Sequence, residues 1–258
     1  MIQEGGISML FRPSYVFKYK SLCSKVDLDR CKDIIENFRL YLSCTSELND
    51  PMESGTAYIQ LAFAGATLYS IAEMASPPVS EELKNFRVLS LSEQCNNPQM
   101  WAHYANNYNG ICFAFNTKSA LRDVEPVIYT NHRFIAHEDE VDDLSRYIHD
   151  SLLFKQKDWS NEYEWRIIRK QEEKFLSFEK HDLCGVIISH NPNQQDNRPF
   201  IKEFIALCKE KEIPIWQTHP TNTTVHIVPL NFEVELGSPL HTQIQEAYDR
   251  CGQRPIFI

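Results

Sequence analysis

The chain has 258 residues, of which 43% are hydrophobic, and a formal net charge of −9. This length and apolar content can form a sizeable core, so we expect a single domain over residues 1–258, with a flexible N-terminal segment at 1–14. The acidic balance argues against a surface that coats a polyanion, because nonspecific nucleic-acid binding needs a clustered excess of Lys and Arg. The net charge does not exclude a local basic cleft. A nucleic-acid partner is therefore disfavoured but not excluded.

The first part of the chain predicts short strands and helices. We expect strands at 16–19 and 39–43, with an amphipathic helix at 28–37 between them. After turn residues at 49–51, the frequent Ala, Leu and Ile of residues 55–75 predict a buried helix.

The segment 88–115 predicts a strand, a helix and a second strand. Residues 88–92 alternate apolar and small polar side chains, and Asn97-Pro98 is typical of a helix start. The helix would end at Asn109-Gly110 and be followed by a buried strand at 111–115. Its apolar stripe would consist of Trp101, Tyr104, Ala105 and Tyr108.

The second half of the chain continues this alternation. A helix is predicted at 137–157, acidic at its beginning and basic at its end, as the helix dipole favours. The later predictions are strands at 159–169, 183–189, 213–218 and 225–230, and a helix at 199–211. These elements predict an α+β fold with a mixed or largely antiparallel sheet flanked by helices.

The eight cysteines show no C-x-x-C pair, and several lie in apolar runs. This pattern is typical of buried free thiols in a reducing compartment. The chain also lacks a signal-like N-terminus and an apolar run of membrane-spanning length, so we expect a cytoplasmic protein without a membrane partner. The histidines lack H-x-x-x-H spacing and the glycines form no phosphate loop, so we predict no metal site and neither P-loop nor Rossmann chemistry.

The strongest candidate for chemistry is the group Glu162, Glu164 and Arg166, which strand alternation places on one face. In a cleft, burial and repulsion would raise the pKa of one carboxyl while Arg166 keeps the other ionised. That division suits general acid–base or oxocarbenium-stabilising chemistry. The same alternation is also typical of a strand whose polar face lies in water, so a purely structural role stays open.

His103 is a second candidate, because on the predicted helix it lies off the aromatic stripe, beside Met100 and Asn107, where it would face a cleft or solvent. An imidazole can act as acid, base or donor near neutral pH, although a single histidine without a partner also fits a structural role. Together with Glu93 or Glu164, it would suit a metal-free nuclease.

Five segments together resemble an uncharacterised, mostly bacterial family called domain of unknown function 2971. Their order and spacing cover most of the chain, but the family implies no settled activity. The segments are Phe17-Lys18-Tyr19-Lys20, Leu40-Tyr41-Leu42-Ser43 leading to Leu48-Asn49-Asp50-Pro51, the MWAHYA and NGICFAF runs, Lys155 with Trp159-x-x-Glu162-x-Glu164-x-Arg166, and Gly185.

The order of three motifs is also similar to the ADP-ribosyltransferase superfamily. These are an early strand with Lys18 and Tyr19, a serine-bearing strand end with Ser43 and Thr45, and the late Glu-x-Glu. The resemblance implies an NAD site in which the early residues and the serine strand hold NAD, while Glu164 or Glu162 stabilises the ribosyl cation. The other residues expected to shape the site are Trp101, His103, Tyr104 and Arg166.

These observations lead to one main hypothesis and a rival. The first is an NAD-using ADP-ribosyltransferase or glycohydrolase-like enzyme with Glu164, Glu162 and His103 as catalytic residues. Its substrate would be a small-molecule nucleotide, and its macromolecular acceptor is unknown. The rival is a non-catalytic sensor or interaction domain whose aromatic motifs simply form the core.

Overall fold

A computed structural model of the chain describes residues 12–48, 60–62, 81–131, 135–137, 144–170, 172–189, 198–220 and 225–229. The α-helices are α1 (Lys25–Glu36), α2 (Pro98–His103), α3 (Leu144–Ser151) and α4 (Pro199–Glu210), and 3₁₀ helices lie at Thr45–Glu47, Lys157–Glu162 and Lys180–Asp182. The strands are β1 (Tyr15–Ser21), β2 (Arg39–Tyr41), β3 (Ser43–Cys44), β4 (Gln60–Ala62), β5 (Phe86–Ser92), β6 (Gly110–Asn116), β7 (Glu125–Pro126), β8 (Ile128–Tyr129), β9 (Ile135–His137), β10 (Phe154–Lys155), β11 (Glu164–Lys170), β12 (Phe175–Ser177), β13 (Leu183–Ile188), β14 (Ile215–Pro220) and β15 (Val225–Pro229).

Nine of these strands form one mixed sheet, which confirms the predicted α+β fold. Its order is β15-β14-β13-β6-β1-β5-β11-β7, and β3 lies beside β5 off this path. The pairing of β13 with β14 is parallel, and the other pairs in the sheet are antiparallel.

The sheet divides between β1 and β5. Strand β1 pairs with β6 along its whole length, but it pairs with β5 only through Phe17 and Ser92. Nearer the start of β5, the strand that pairs with β5 is β3 instead of β1, with Ser43 opposite Val88. A gap therefore opens between the second half of β1 and the neighbouring strand β5.

Each face of the sheet packs against helices. On one face, α1 and α4 cover the largest apolar cluster, in which the Phe113 and Phe204 rings meet edge to face at 5.9 Å. On the other face, α2 buries Trp101 against Tyr19, and α3 buries Tyr147 and Ile148 against β5 and β11. Residues of α1 and α2 border the gap in the sheet.

The two helices near the gap differ from their predicted bounds. Helix α1 begins at Lys25, earlier than expected, because Ser24 and Asp27 form a reciprocal capping box at its first turn. Helix α2 begins at Pro98 as predicted, with Asn97 as its cap, but ends at His103. The prediction that it continues to Asn109 is wrong, because positive φ angles at 106–108 form a left-handed turn there.

Three other predicted elements also differ from the structure. Residues 60–62 form a strand that pairs with β9, not part of a helix, and the remainder of the predicted helix at 55–75 lies outside the described residues. The helix expected at 137–157 is the shorter α3, followed by β10. The strand expected from 159 begins at Glu164, because a 3₁₀ helix occupies 157–162.

Seven cysteines lie in the described part of the chain, and all seven are free. Four of them are buried as expected, whereas Cys23 is exposed. No helix in the described ranges has the length and apolar character needed to cross a membrane. The residues that the structure describes contain no group of three or more His, Cys, Asp and Glu side chains that could hold a metal ion.

Candidate functional site

The gap between β1 and β5 opens into a cleft of about 310 Å³. This volume lies at the lower end of the range for small-molecule sites. Its walls come from β1, α1, the β3 region, β5, α2 and the segment 155–164. The charged residues that line it are Lys18, Lys20, Asp27, Arg30, Glu47, Lys155, Glu162 and Glu164.

A buried charge network forms one wall of this cleft. The Nζ atom of Lys155 lies 2.6 Å from Oε2 of Glu162 and 2.8 Å from Oε2 of Glu164. The guanidinium of Arg166 also contacts Glu164, with Nε 2.7 Å from Oε1 and Nη2 3.0 Å from Oε2. All four side chains are at most 10% exposed, so these contacts hold two carboxylates and two cations largely out of water.

Strand pairing explains where Glu164 and Arg166 lie. They alternate on β11, and their antiparallel partners on β5 are Ser92 and Ser90. These two small side chains leave room above the sheet for the ion pair. The second terminal nitrogen of Arg166, Nη1, donates to the carbonyl of Leu152 at 2.5 Å, which fixes the guanidinium behind Glu164.

The environment of Glu164 determines its charge state. Burial acts to raise the pKa of this carboxyl, but the charges of Arg166 and Lys155 outweigh burial and hold the pKa at about 2. Glu164 is therefore an ionised, fully paired group at neutral pH. A carboxylate in this state cannot serve as a general acid.

Glu162 reaches the same network by a different route from the one predicted. It lies at the end of the 3₁₀ helix and not on β11, and Tyr163 between the two glutamates adopts a left-handed conformation with φ 46° and ψ 51°. This reversal turns Glu162 back toward the cleft, while Tyr163 is 40% exposed. The two glutamates thus converge without lying on one strand.

Tyr104 connects helix α2 to this network. Its hydroxyl donates to Oε1 of Glu162 at 2.5 Å. The helix is held in place by Trp101, which is fully buried and donates from Nε1 to the carbonyl of Cys95 at 2.8 Å. Tyr104, the residue directly after α2, therefore approaches the cleft from the end of a firmly packed helix.

Lys18 lies across the gap in the sheet from the carboxylates. Its Nζ atom donates to the backbone carbonyl of Ser90 at 2.8 Å, where β1 and β5 no longer pair. Burial lowers the pKa of Lys18 to about 7; the nearby charge of Lys20 adds to this decrease, and that of Glu164 opposes it. The pKa of Lys20 is also lowered, mainly by burial.

The structure brings some predicted site residues together and separates others. Those that line the cleft are Lys18, Tyr19, Ser43, Tyr104, Glu162 and Glu164. Those that lie outside the cleft lining of the described residues are Thr45, Trp101, His103 and Arg166. Ser43 and Tyr19 face the cleft from opposite sides of the gap, and the hydroxyl of Tyr19 is fixed by donation to the Gln94 carbonyl at 2.7 Å.

The four residues outside the lining have other surroundings. Thr45 is buried and donates to the carbonyl of Leu83 at 3.5 Å, and Trp101 belongs to the core. Arg166 lies behind Glu164. His103 is exposed on α2 and does not line the cleft, so its catalytic role stays a prediction.

Lys155 is not among the site residues predicted from the sequence, although it belongs to one of the family-like motifs. Its position follows from the parallel pairing of β10 with β8, which places Lys155 opposite Tyr129. Its Nζ also lies 5.2 Å from the centre of the Trp159 ring. The one sequence signal for its burial is the apolar run that directly precedes it. Because a lysine is rarely buried unless it is paired, burial at this position would also have indicated nearby carboxylates.

Comparison with known families supports part of the resemblance drawn from the sequence. A family described as "Protein of unknown function (DUF2971)" matches residues 100–167, which include the last four residues of α2, all of β6 and the Lys155–Arg166 segment. The match gives no support to the resemblance to ADP-ribosyltransferases. Neither a curated protein nor a solved structure matches the chain.

Proposed function

We propose that this protein is an NAD-using enzyme that breaks the bond between nicotinamide and ribose and passes ADP-ribose to water or to an acceptor. The observation that carries the proposal is the convergence of Ser43, Tyr19 and Glu162 on one cleft, although they are far apart in sequence. In such a reaction the carboxylate would stabilise the ribosyl cation, and the serine and the aromatic side chain would hold the nucleotide.

The two glutamates would have different roles. Both oxygens of Glu164 are held by Arg166 and Lys155, so this residue positions Lys155. The carboxylate of Glu162 accepts from Tyr104 and Lys155 and borders the open cleft. Glu162 is therefore the carboxylate that we assign to the reacting ribose.

The proposed reaction uses Glu162 to stabilise positive charge. As the bond from C1′ to the nicotinamide nitrogen breaks, its electron pair leaves with neutral nicotinamide and C1′ becomes part of an oxocarbenium ion. A negative side chain beside this cation lowers the barrier, because the side chain is already fixed where the positive charge develops. Water or an acceptor hydroxyl then forms a bond to C1′ and loses its proton to solvent.

Two further cations line the cleft and would bind the rest of the nucleotide. Lys20 and Arg30 line the cleft on the side of α1. Their positive charge would attract the two phosphates of NAD, although the net charge of the chain is −9. The free thiols of the described cysteines also support our proposal of a reducing, cytoplasmic location.

The test is release of nicotinamide from NAD by purified protein, with labelled NAD and cell lysate as a source of acceptors. We expect Glu162→Gln to lose at least about 100-fold in rate, the size of effect seen when one charge-stabilising group is removed. Glu172→Gln, an exposed glutamate, is the matched control and should retain the rate. Absence of both nicotinamide release and labelled acceptor with wild-type protein would refute the proposal.

A non-catalytic ligand-binding domain is the second candidate. Each oxygen of Glu162 already has a donor, from Tyr104 and Lys155, which would suit a carboxylate that only shapes the cleft. This candidate predicts that calorimetry detects NAD binding while no nicotinamide is released. Binding with turnover would favour the enzyme.

A further inference from the structure

We propose that Lys18 is a nucleophilic amine that forms an imine with an aldehyde or ketone bound in the cleft. This activity goes beyond glycosyl transfer from NAD and does not depend on it. The amine lies in the gap between β1 and β5 and borders the cleft, where it donates to an uncharged group, the carbonyl of Ser90.

The carboxylates that line the cleft are committed to other partners. Asp27 accepts from the hydroxyl of Ser21 and from the backbone N–H groups of residues 23 and 24. Glu47 accepts from Tyr41 and from the N–H of residue 44. Glu162 and Glu164 are held by the buried charge network. Among the described residues of the cleft, Lys155 thus has two ion-pair partners, whereas Lys18 forms no ion pair within 4 Å.

The charged groups around Lys18 shift its pKa in opposite directions. Lys20 on the same strand disfavours the ammonium form, and Glu164 on β11 favours it. Helix α1 contributes Asp27, Arg30 and the thiol of Cys31 to the same cleft, and Glu47 faces it from the β3 side.

Burial has the largest effect on the pKa of Lys18 and lowers it, because burial removes the solvation that an ammonium ion needs. The resulting pKa of Lys18, about 7, leaves a large fraction of the amine neutral at physiological pH. An exposed lysine with a pKa near 10.4 has only about one neutral amine in 2,500 at pH 7. A neighbouring cation and partial desolvation are the two conditions that activate lysines for attack on carbonyl carbon.

Imine formation needs no reactant other than the Lys18 amine and the carbonyl compound. The nitrogen lone pair of Lys18 forms a bond to the carbonyl carbon, and the C=O π electrons move to oxygen. The two amine hydrogens then leave with that oxygen as water, and the C=N double bond forms. Cyanoborohydride supplies a hydride to the imine carbon and solvent supplies a proton to nitrogen, so the product is a stable secondary amine.

The experiment is a short treatment of the full chain with acetaldehyde and sodium cyanoborohydride, followed by mass spectrometry of peptides. Acetaldehyde is small enough for the cleft and carries no charge. At pH 7 we expect Lys18 to be ethylated at least about ten times faster than the exposed Lys118. The rate at Lys18 should level off above pH 7, while that at Lys118 continues to rise.

Two variants test whether the fast ethylation occurs at Lys18 and depends on the neighbouring charge. Lys18→Arg should remove the fast site, and Lys20→Gln should move the levelling of the Lys18 rate to higher pH, because a charge that disfavours the ammonium is gone. Ethylation of Lys18 no faster than that of Lys118 in wild-type protein would overturn the inference, whatever the variants do. The result is independent of nicotinamide release, so failure here leaves the NAD proposal intact.

Discussion

The hydroxyl of Tyr104 donates a hydrogen bond to Oε1 of Glu162, which lies 58 residues later in the chain. This contact joins α2 to the segment that precedes β11. Because Lys155 holds the other oxygen of Glu162, the two donors fix the carboxylate at the edge of the cleft. The orientation of the proposed catalytic group thus depends on both.

Replacement of Tyr104 by Phe should reduce the free energy of unfolding by about 1–3 kcal/mol, since a largely buried carboxylate oxygen loses its donor. Urea unfolding measures this loss. Tyr163→Phe is the matched control, because Tyr163 is 40% exposed, and it should stay within about 0.5 kcal/mol of wild type. Equal effects of the two substitutions would show that the Tyr104 contact contributes nothing specific.

Lys155→Met should destabilise the fold by about 3–5 kcal/mol, because it leaves two buried glutamates without their shared cation. Methionine keeps most of the volume of the side chain, so the loss reports charge rather than packing. Lys118→Met, at an exposed lysine, should change the free energy of unfolding by less than about 0.5 kcal/mol. A loss below about 1 kcal/mol for Lys155→Met would contradict the described network.

The pKa of Glu164 predicts an acid-sensitive fold. In the native state this pKa is about 2, whereas an unfolded glutamate titrates near about 4.3. Between these values the unfolded chain binds the proton and the native chain does not, so stability falls as the pH falls through this window. The slope from one such group is at most about 1.4 kcal/mol per pH unit.

Glu164→Gln should therefore be less stable than wild type at pH 7 but should show a flatter dependence on pH between 4.5 and 2. Urea unfolding at a series of pH values compares the two slopes. Parallel curves for variant and wild type would mean that Glu164 titrates alike in the folded and unfolded states.

Gly110 should not tolerate a side chain. A Cβ atom there would lie 2.2 Å from the carbonyl oxygen of Lys20 and 2.9 Å from Cα of Ala105, and both are backbone atoms. We expect Gly110→Ala to cost at least about 1–3 kcal/mol, since β1 or the turn after α2 must move. A thermal melt within 1 °C of wild type would show that β1 and the turn are not packed this closely.

The sequence pattern predicted several parts of the site correctly. Alternation placed Glu164 and Arg166 on one face, and the strand pairing agrees with this. Asn97 and Pro98 predicted the start of α2, because capping depends on residues that are adjacent in the chain.

The rest depends on contacts between distant segments, which local patterns do not encode. Glu162 joins the network because Tyr163 adopts a left-handed conformation, which no nearby glycine or proline indicated. The cleft exists because β1 and β5 share a single residue pair, and Lys155 is buried because β10 pairs with β8. These features required the whole fold.

The most direct test of the central claim is hydrogen–deuterium exchange with and without NAD at about 1 mM, the upper end of common KM values. We predict slower exchange in the peptides that contain β1, β3 and residues 155–164, which together border the cleft. Unchanged exchange in all three regions, or protection confined to other segments, would contradict the assignment of this cleft as the nucleotide site.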